Sequence, residues 1–328
     1  MITICQFGAG RIGSIHAANV AAHPDARLRY VVDVNPEAAH KLAQAHGAEV
    51  TDLQRGLADP QVDGVIIASS TDTHAELILA SARAGKAIFC EKPIHLTIER
   101  VDECLREVER SGVLLTVGFN RRFDPNFSAL HRGLREGRVG RLEMINITSR
   151  DPAPPPIDYI TTSGGLFRDM MIHDFDMARW LLGEDPVEVH AMASCLVDPQ
   201  IGRAGDVDTA MVMLRTESGA LCHIDNSRRA VYGYDQRIEV FGSEGMLRVA
   251  NVKPTTVEWW SADALRVDTP YYSFLERYAS AYKIELNHFI DVIGGRAQPA
   301  VSGEDGRKAL LLADAAVQSF QSRRPVRL

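Results

Sequence analysis

Three groups of residues carry chemical potential. The first is Gly8-Ala9-Gly10-Arg11-Ile12-Gly13, spaced G-x-G-x-x-G, with Asp33 twenty residues beyond Gly13. Glycine there permits a tight turn (Gly8), close approach of backbone to a pyrophosphate (Gly10) and close helix–strand packing (Gly13). The helix that follows offers unpaired N–H groups and a positive dipole end to phosphates. Asp33 can accept hydrogen bonds from both ribose hydroxyls, and its charge repels a 2′-phosphate. Val34 and Asn35 bring no cation to offset that repulsion, so the pattern favours NAD over NADP. The spacing alone is weak and also describes a plain glycine turn; its place between an apolar strand and a helical pattern strengthens it.

The second group is Cys90-Glu91-Lys92-Pro93, at the carboxyl end of a strand, where open α/β sheets bind ligands. Lys92 is therefore expected beside the cofactor, although a lysine at a strand end is often only solvated. The third runs from Gly164 to Asp176, reading GGLFRDMMIHDFD. On one helix Asp169 and His173 stand at i and i+4 and face the same way, with Asp176 three residues on. A carboxylate beside an imidazole orients the ring and stabilises its protonated form. The same residues also suit an ordinary polar helix face. A metal site would want a further His or Cys at matching spacing, which the other histidines do not supply, so no metal is expected. His40 and His46 read as exposed helix residues, and His16 and His23 as flanking the first helix, without a role.

Strand candidates Ile2–Phe7, Leu28–Val34, Gly64–Ala68, Ala87–Glu91 and Leu114–Gly118 alternate with amphipathic stretches Pro36–His46, His74–Ala84 and Thr97–Ser111. Strong apolar runs with helices between them predict a doubly wound parallel sheet. After about residue 120 the pattern changes. A loop and helix over 120–138 precede a strand at Leu142–Ser149, a proline-rich loop at Asp151–Pro156 and a helix from about Gly165 to Leu182. Runs at Val187–Leu196, Thr209–Leu214, Ala220–Asn226, Gln236–Phe241 and Met246–Val249 follow one another with little helix between, and helices over 273–293 and 303–322 close the chain. The expectation is an α/β chain: a Rossmann dinucleotide-binding domain over 1–120, then an α+β domain over 121–328 with an open, mostly antiparallel sheet.

Composition narrows the classes. The 328 residues carry 36 Lys+Arg against 43 Asp+Glu, a formal net charge of −7, with 45% hydrophobic and 24% charged residues. That balance fits a globular protein and argues against disorder. No basic stripe exists to neutralise phosphates, which speaks against nucleic acid. Arg121-Arg122, Arg228-Arg229 and Arg323-Arg324 are isolated basic pairs. No transmembrane run or signal peptide is visible, and five scattered cysteines without a CxxC pair read as free thiols, so a cytoplasmic protein is expected.

GAGRIG, SSTDTH at Ser69–His74, CEKP at Cys90–Pro93 and GGLFRDMMIHDFD together resemble the Gfo/Idh/MocA oxidoreductases. GFNRRFD at Gly118–Asp124, TSRDPAPPP at Thr148–Pro156, YGYDQRIEVFGSEG at Tyr232–Gly245 and SGEDGRKAL at Ser302–Leu310 are similar to the inositol 2-dehydrogenase branch of that family. The resemblance spans nearly the whole chain. It implies NAD-dependent oxidation of myo-inositol to scyllo-inosose, with Lys92, Asp169 and His173 as the catalytic group. It implies cofactor contacts from Gly8, Gly10, Arg11, Ile12, Gly13, Asp33, Val34, Ser69, Ser70, Thr71, His74, Glu91, Lys92 and Asn120. Around the substrate ring it implies Arg122, Asp151, Asp176 and Tyr232 beside the catalytic three. Arg122 has the alternative of pairing with Asp124, and Tyr232 that of packing a loop. Asn120 stands where methionine is frequent in relatives, adding a donor and an acceptor near the expected nicotinamide. The open sheet is expected to build a homo-oligomer, as tetramers in the family do.

Other readings are a dehydrogenase of another inositol isomer or of a pyranose sugar, a silent NAD-binding regulator, and an interaction protein. Lys92, Asp169 and His173 standing together favour the enzyme.

Overall fold

The computed structural model describes all 328 residues. The chain forms two units: Met1–Phe123 with Ala281–Leu310, and Asp124–Ser280 with Leu311–Leu328.

The first unit holds β1 (Ile2–Phe7), α1 (Arg11–Ala21), β2 (Ala26–Val32), α2 (Pro36–His46), β3 (Glu49–Val50), α3 (Leu53–Ala58), β4 (Gly64–Ile67), α4 (Thr71–Arg83), β5 (Ala87–Glu91), α5 (Ile98–Ser111) and β6 (Leu115–Gly118). The six strands are parallel in the order β3-β2-β1-β4-β5-β6. The order reverses between β1 and β4, which opens a crevice at their carboxyl ends. The helices are set by local chemistry. Asn35 caps α2 through its side chain with Pro36 in the first turn, and Gly47 closes that helix in the left-handed region. Strands β4, β5 and β6 are buried on both faces, as apolar runs without alternation require.

The sequence places a single division at residue 120, whereas the first unit takes back residues 281–310. The cause is the apolar face of a late helix. Leu286, Phe289 and Ile290 are fully buried in one cluster with Ile4, Ile66 and Phe89. Burial of such side chains contributes roughly 1.5–3 kcal/mol each, enough to anchor the segment there. Ser302 adds an antiparallel bridge to Thr116, and Arg307 pairs with Asp102.

The second unit begins with α6 (Pro125–Arg135) and β7 (Leu142–Arg150), then α7 (Ile157–Ser163), a π-helical turn over Leu166–Met170 and α8 (Ile172–Leu182). After these come β8 (Pro186–Ser194), α9 (Pro199–Arg203), β9 (Thr209–Thr216), β10 (Leu221–Ser227), β11 (Asp235–Gly242), β12 (Gly245–Val249) and a short hairpin of β13 (Glu258–Trp260) and β14 (Leu265–Val267). The chain ends with α10 (Phe274–Arg277), α11 (Ala279–Ile293), α12 (Gly303–Ser322) and β15 (Val326–Arg327), the last returning to pair with β8. The large sheet runs β12-β11-β7-β10-β9-β8-β15, and every pair is antiparallel except β7 with β10. Its strands alternate. Ile145, Ile147, Val212, Leu214 and Ile224 are buried, whereas Met144, Met192, Met211, Met213 and Met246 are exposed on the other face. No helix is long and apolar enough to cross a membrane.

Candidate active site

The glycine turn has the geometry the dinucleotide pattern requires. Gly8 sits at φ +102°, and a Cβ on it would lie 2.4 Å from the carbonyl oxygen of Ala68. One on Gly13 would lie 2.2 Å from the Gly8 carbonyl oxygen. Gly10, by contrast, faces open space and caps α1 without a side-chain bond, so the first N–H groups of that helix are not taken by a capping side chain. Bare donors, a positive helix end and room for a backbone-close anion fit a pyrophosphate. Gln6, which sequence reasoning passed over, pins the turn: fully buried in β1, it donates to the Gly8 and Gly13 carbonyls at 2.9 and 2.8 Å. A lone amide inside the apolar run ITICQF was its only signal.

Asp33 falls just after β2 rather than inside it. Its carboxylate accepts the Ala9 N–H at 2.6 Å and the Asn35 N–H at 2.7 Å, which fixes it at the mouth of the glycine turn. Arg11, Ser70 and Val34 are exposed, with Ile12, Ser69 and Thr71 partly so. Asp33→Ala is expected to weaken NAD binding by about tenfold or more, through loss of charge-assisted hydrogen bonds, and NADP binding by less. Titration of NADH and NADPH fluorescence checks this, and an unchanged ratio of the two affinities counts against the assignment.

The end of β5 is braced by two histidines. His16 lies within α1 rather than flanking it, is fully buried, and hydrogen-bonds Glu91 Oε1 through Nε2 at 2.7 Å. Its ring meets Phe89 and Tyr282 edge-on. A Cβ on Gly118 would lie 3.0 Å from Glu91 Oε2, so a larger residue there would crowd that carboxylate. His74, expected among the cofactor contacts, is 1% exposed and turns Nδ1 to the Pro93 carbonyl at 2.8 Å and Nε2 to the Ser69 carbonyl at 3.2 Å. Burial lowers its pKa against the pull of both carbonyls. It is therefore a tether between the turn after β4 and the segment carrying Lys92. Lys92 itself is partly exposed, between Glu91 and a cis bond to Pro93.

Asn120 is buried in a short 3₁₀ turn over Asn120–Phe123. Arg122, expected at the substrate ring, is 9% exposed and donates to Asp305 Oδ1 at 2.9 Å and the Ala300 carbonyl at 3.2 Å. The Arg122 guanidinium holds the Asp305 carboxyl down to about 2 against the upward effect of burial. Its alternative partner, Asp124, instead caps α6 and pairs with buried Arg277. Arg122 thus helps to anchor the late segment.

In the second unit the expected single helix over 165–182 is split. The π-helical turn carries Asp169, and His173 stands in the first turn of α8. Both are partly exposed. Asp169 receives the Tyr159 hydroxyl on Oδ1 at 2.8 Å and faces Arg228 Nη2 from Oδ2 at 3.6 Å. Tyr159 and Arg228 were not singled out from the sequence. Asp176, expected at the substrate ring, is fully buried on α8. Asp174 beside it accepts from Ser149 and Asn226 at 2.5 and 2.9 Å. Asp151 is partly exposed, its N–H on the Ser227 carbonyl. Tyr232 is 41% exposed, donating to Asp235 at 2.5 Å and accepting from Arg150 at 3.4 Å. No three His, Cys, Asp or Glu residues gather in a way that could hold a metal ion. The cysteines are free, and burial pushes the Cys5 thiol up to about 12.

Comparison with known proteins adds to this geometry. The family described as "Oxidoreductase family, NAD-binding Rossmann fold" matches residues 2–119, and the "GFO/IDH/MocA C-terminal domain" matches residues 127–248. The chain is 52% identical over 319 residues to a Rhizobium meliloti protein named inositol 2-dehydrogenase, covering 97% of each. It is 51% identical over 323 residues to the myo-inositol 2-dehydrogenase of Thermotoga maritima, covering 98% of this chain and 97% of that one. Among solved structures, the scyllo-inositol dehydrogenase of Lactobacillus casei with bound NAD(H) and scyllo-inositol superposes with a TM-score of 0.92, at 29% identity over 100% of this chain and 99% of that one.

Proposed function

We propose that this chain, which belongs to the Gfo/Idh/MocA family and is an NAD-dependent oxidoreductase, oxidises the axial hydroxyl of myo-inositol to a ketone, giving scyllo-inosose. The observation that carries the substrate is full-length similarity at about half identity to relatives named for that reaction.

In this reading His173 accepts the hydroxyl proton while the carbon beneath it gives up its hydride. Lys92 hydrogen-bonds the same oxygen and offsets the negative charge that develops there. Asp169 holds the imidazole in the productive tautomer. The residues of the glycine turn and Asp33 hold the dinucleotide, and NAD when bound supplies the hydride acceptor. Asp151 and Tyr232 offer accessible polar atoms to the ring. A polyol's hydroxyls differ mainly in direction, so discrimination comes from polar groups that the wrong isomer leaves unpaired.

The exposed methionine face of the large sheet is too apolar to remain in water without a partner, and we place a second copy of the chain on it, in a tetramer. Light scattering at the mass of a single 36.1 kDa chain would overturn that part. The substrate is tested by NADH formation from a panel of myo-, scyllo- and D-chiro-inositol, glucose and xylose. Preference for myo-inositol is the expected result. Turnover of another member keeps the dehydrogenase and moves specificity to Asn120, Asp151 and Tyr232. A blank panel with intact NAD binding overturns the substrate class.

A further inference from the structure

Arg228 is 1% exposed, one of the largest fully buried side chains in the protein. From sequence it is half of a basic pair, yet Arg229 beside it is exposed and Arg228 is not. A guanidinium taken out of water needs anions near it. Those it meets are Asp169, 3.6 Å from Nη2 to Oδ2, and Asp206, 3.9 Å from Nη2 to Oδ2.

Asp206 is itself built into the turn that carries Asp169. Both of its carboxylate oxygens accept the Leu166 N–H at 3.1 Å, at the start of the π-helical turn. That contact exists only because residue 165 is glycine: at φ +78°, a Cβ there would lie 2.6 Å from Asp206 Oδ1. Burial pushes the Asp206 carboxyl above its ordinary range, against the N–H groups of Val207 and Leu166 and the charge of Arg228. The turn closes with the Met171 N–H on the Leu166 carbonyl at 2.9 Å. Backbone holds Arg228 in place in turn, its N–H donating to the Asp208 carbonyl at 2.9 Å. A single cation thus lies between the cap of the π-helical turn and the carboxylate inside it, at ion-pair distance from both and without a hydrogen bond from Nη2 to either, while Tyr159 fixes the other oxygen of the Asp169 carboxylate. Such turns occur often at functional sites, where they re-aim a side chain.

We infer that Arg228 is a positioning residue for the dehydrogenation, acting through Asp169; the inference rests on the role proposed above for Asp169. It touches neither substrate nor cofactor in this account. Its work is to keep Asp169 aimed, so that the carboxylate orients His173 and does not turn toward solvent.

The experiment is a double-mutant cycle on the whole enzyme with myo-inositol and NAD, using Arg228→Met, Asp169→Asn and the pair. Arg228→Met is expected to lower kcat by roughly 10- to 100-fold, as misplacement of a catalytic group does, with NADH affinity unchanged. Arg228→Lys should recover part of the loss. In the pair the two losses should not multiply: the double variant turns over within about twofold of Asp169→Asn, because both changes remove one interaction. Multiplying losses, with Asp169→Asn itself crippled, overturn the inference and leave the proposed function standing. Normal turnover by Asp169→Asn overturns the role of Asp169 and the inference with it. Should Arg228→Met fail to fold, Arg228→Lys keeps a cation in the cavity and is run through the same cycle with the same two outcomes.

Discussion

Replacing Lys92 with alanine is expected to lower turnover by roughly a hundredfold to ten-thousandfold while NAD still binds. The size follows from what the ammonium is asked to do. In the proposed reaction charge builds on the substrate oxygen as hydride leaves, and a donor at that oxygen stabilises the transition state more than the ground state. The segment that carries it is held on both sides: Glu91 by His16, and the Pro93 carbonyl by His74. None of these contacts involves the Lys92 ammonium, so the alanine variant should keep the fold of this corner and the glycine turn. NADH absorbance measures turnover, and NADH fluorescence titration measures binding. Normal kcat would sink the catalytic role of Lys92. Loss of binding and turnover together would assign it to the cofactor instead.

Much of the frame was legible because its signals are local. The glycine spacing, read with the strand before it, the helix after it and Asp33, identifies a nucleotide fold, and the change from strand–helix alternation to strand after strand marks the second sheet. What escaped is long-range. Leu286, Phe289 and Ile290 announce a buried helix face, but nothing in their spacing says that β1 and β4 supply the other side. Asp124, two residues away, is the alternative partner the sequence offers Arg122; it instead caps α6 and pairs with Arg277, while Arg122 pairs with Asp305, 183 residues on. The GGLFRDMMIHDFD stretch reads as one helix because its apolar residues keep helical spacing, while the π-helical turn depends on Asp206, forty residues later. Polar residues inside apolar runs, Gln6, His16 and His74 among them, were the sequence's only notice of the tethers around the site. α7 went unseen because Ile157–Ser163 follows a proline run and has too few turns to show a period.

The same long-range logic gives the largest stability effect. Asp208 is fully buried, and its carboxylate accepts the backbone N–H groups of Leu196, Val197 and Asp198 at 2.7, 2.8 and 3.0 Å, with the Thr209 hydroxyl at 3.0 Å. Asp208→Ala leaves three part-buried backbone donors without their acceptor, at roughly 1 kcal/mol each. A loss of about 3 kcal/mol or more is expected, and a fall in Tm of about 5–10 °C. Burial alone would raise the Asp208 carboxyl, but the three N–H groups outweigh it and hold it below its ordinary value. A carboxyl lowered on folding stabilises the protein above the unfolded-state value, about 4, and that contribution disappears as pH falls through the folded-state value. The stability gap between native chain and variant should therefore be full at neutral pH and shrink on acidification below about pH 4. Thermal melts across that range decide it, and a variant melting within about 1 °C of the native chain at neutral pH would refute the account. The consequence reaches the site. The backbone carbonyl of Asp208 also receives the Arg228 N–H, so a loosened loop releases the cation that aims Asp169. Turnover by Asp208→Ala should then fall even at temperatures where the chain remains folded.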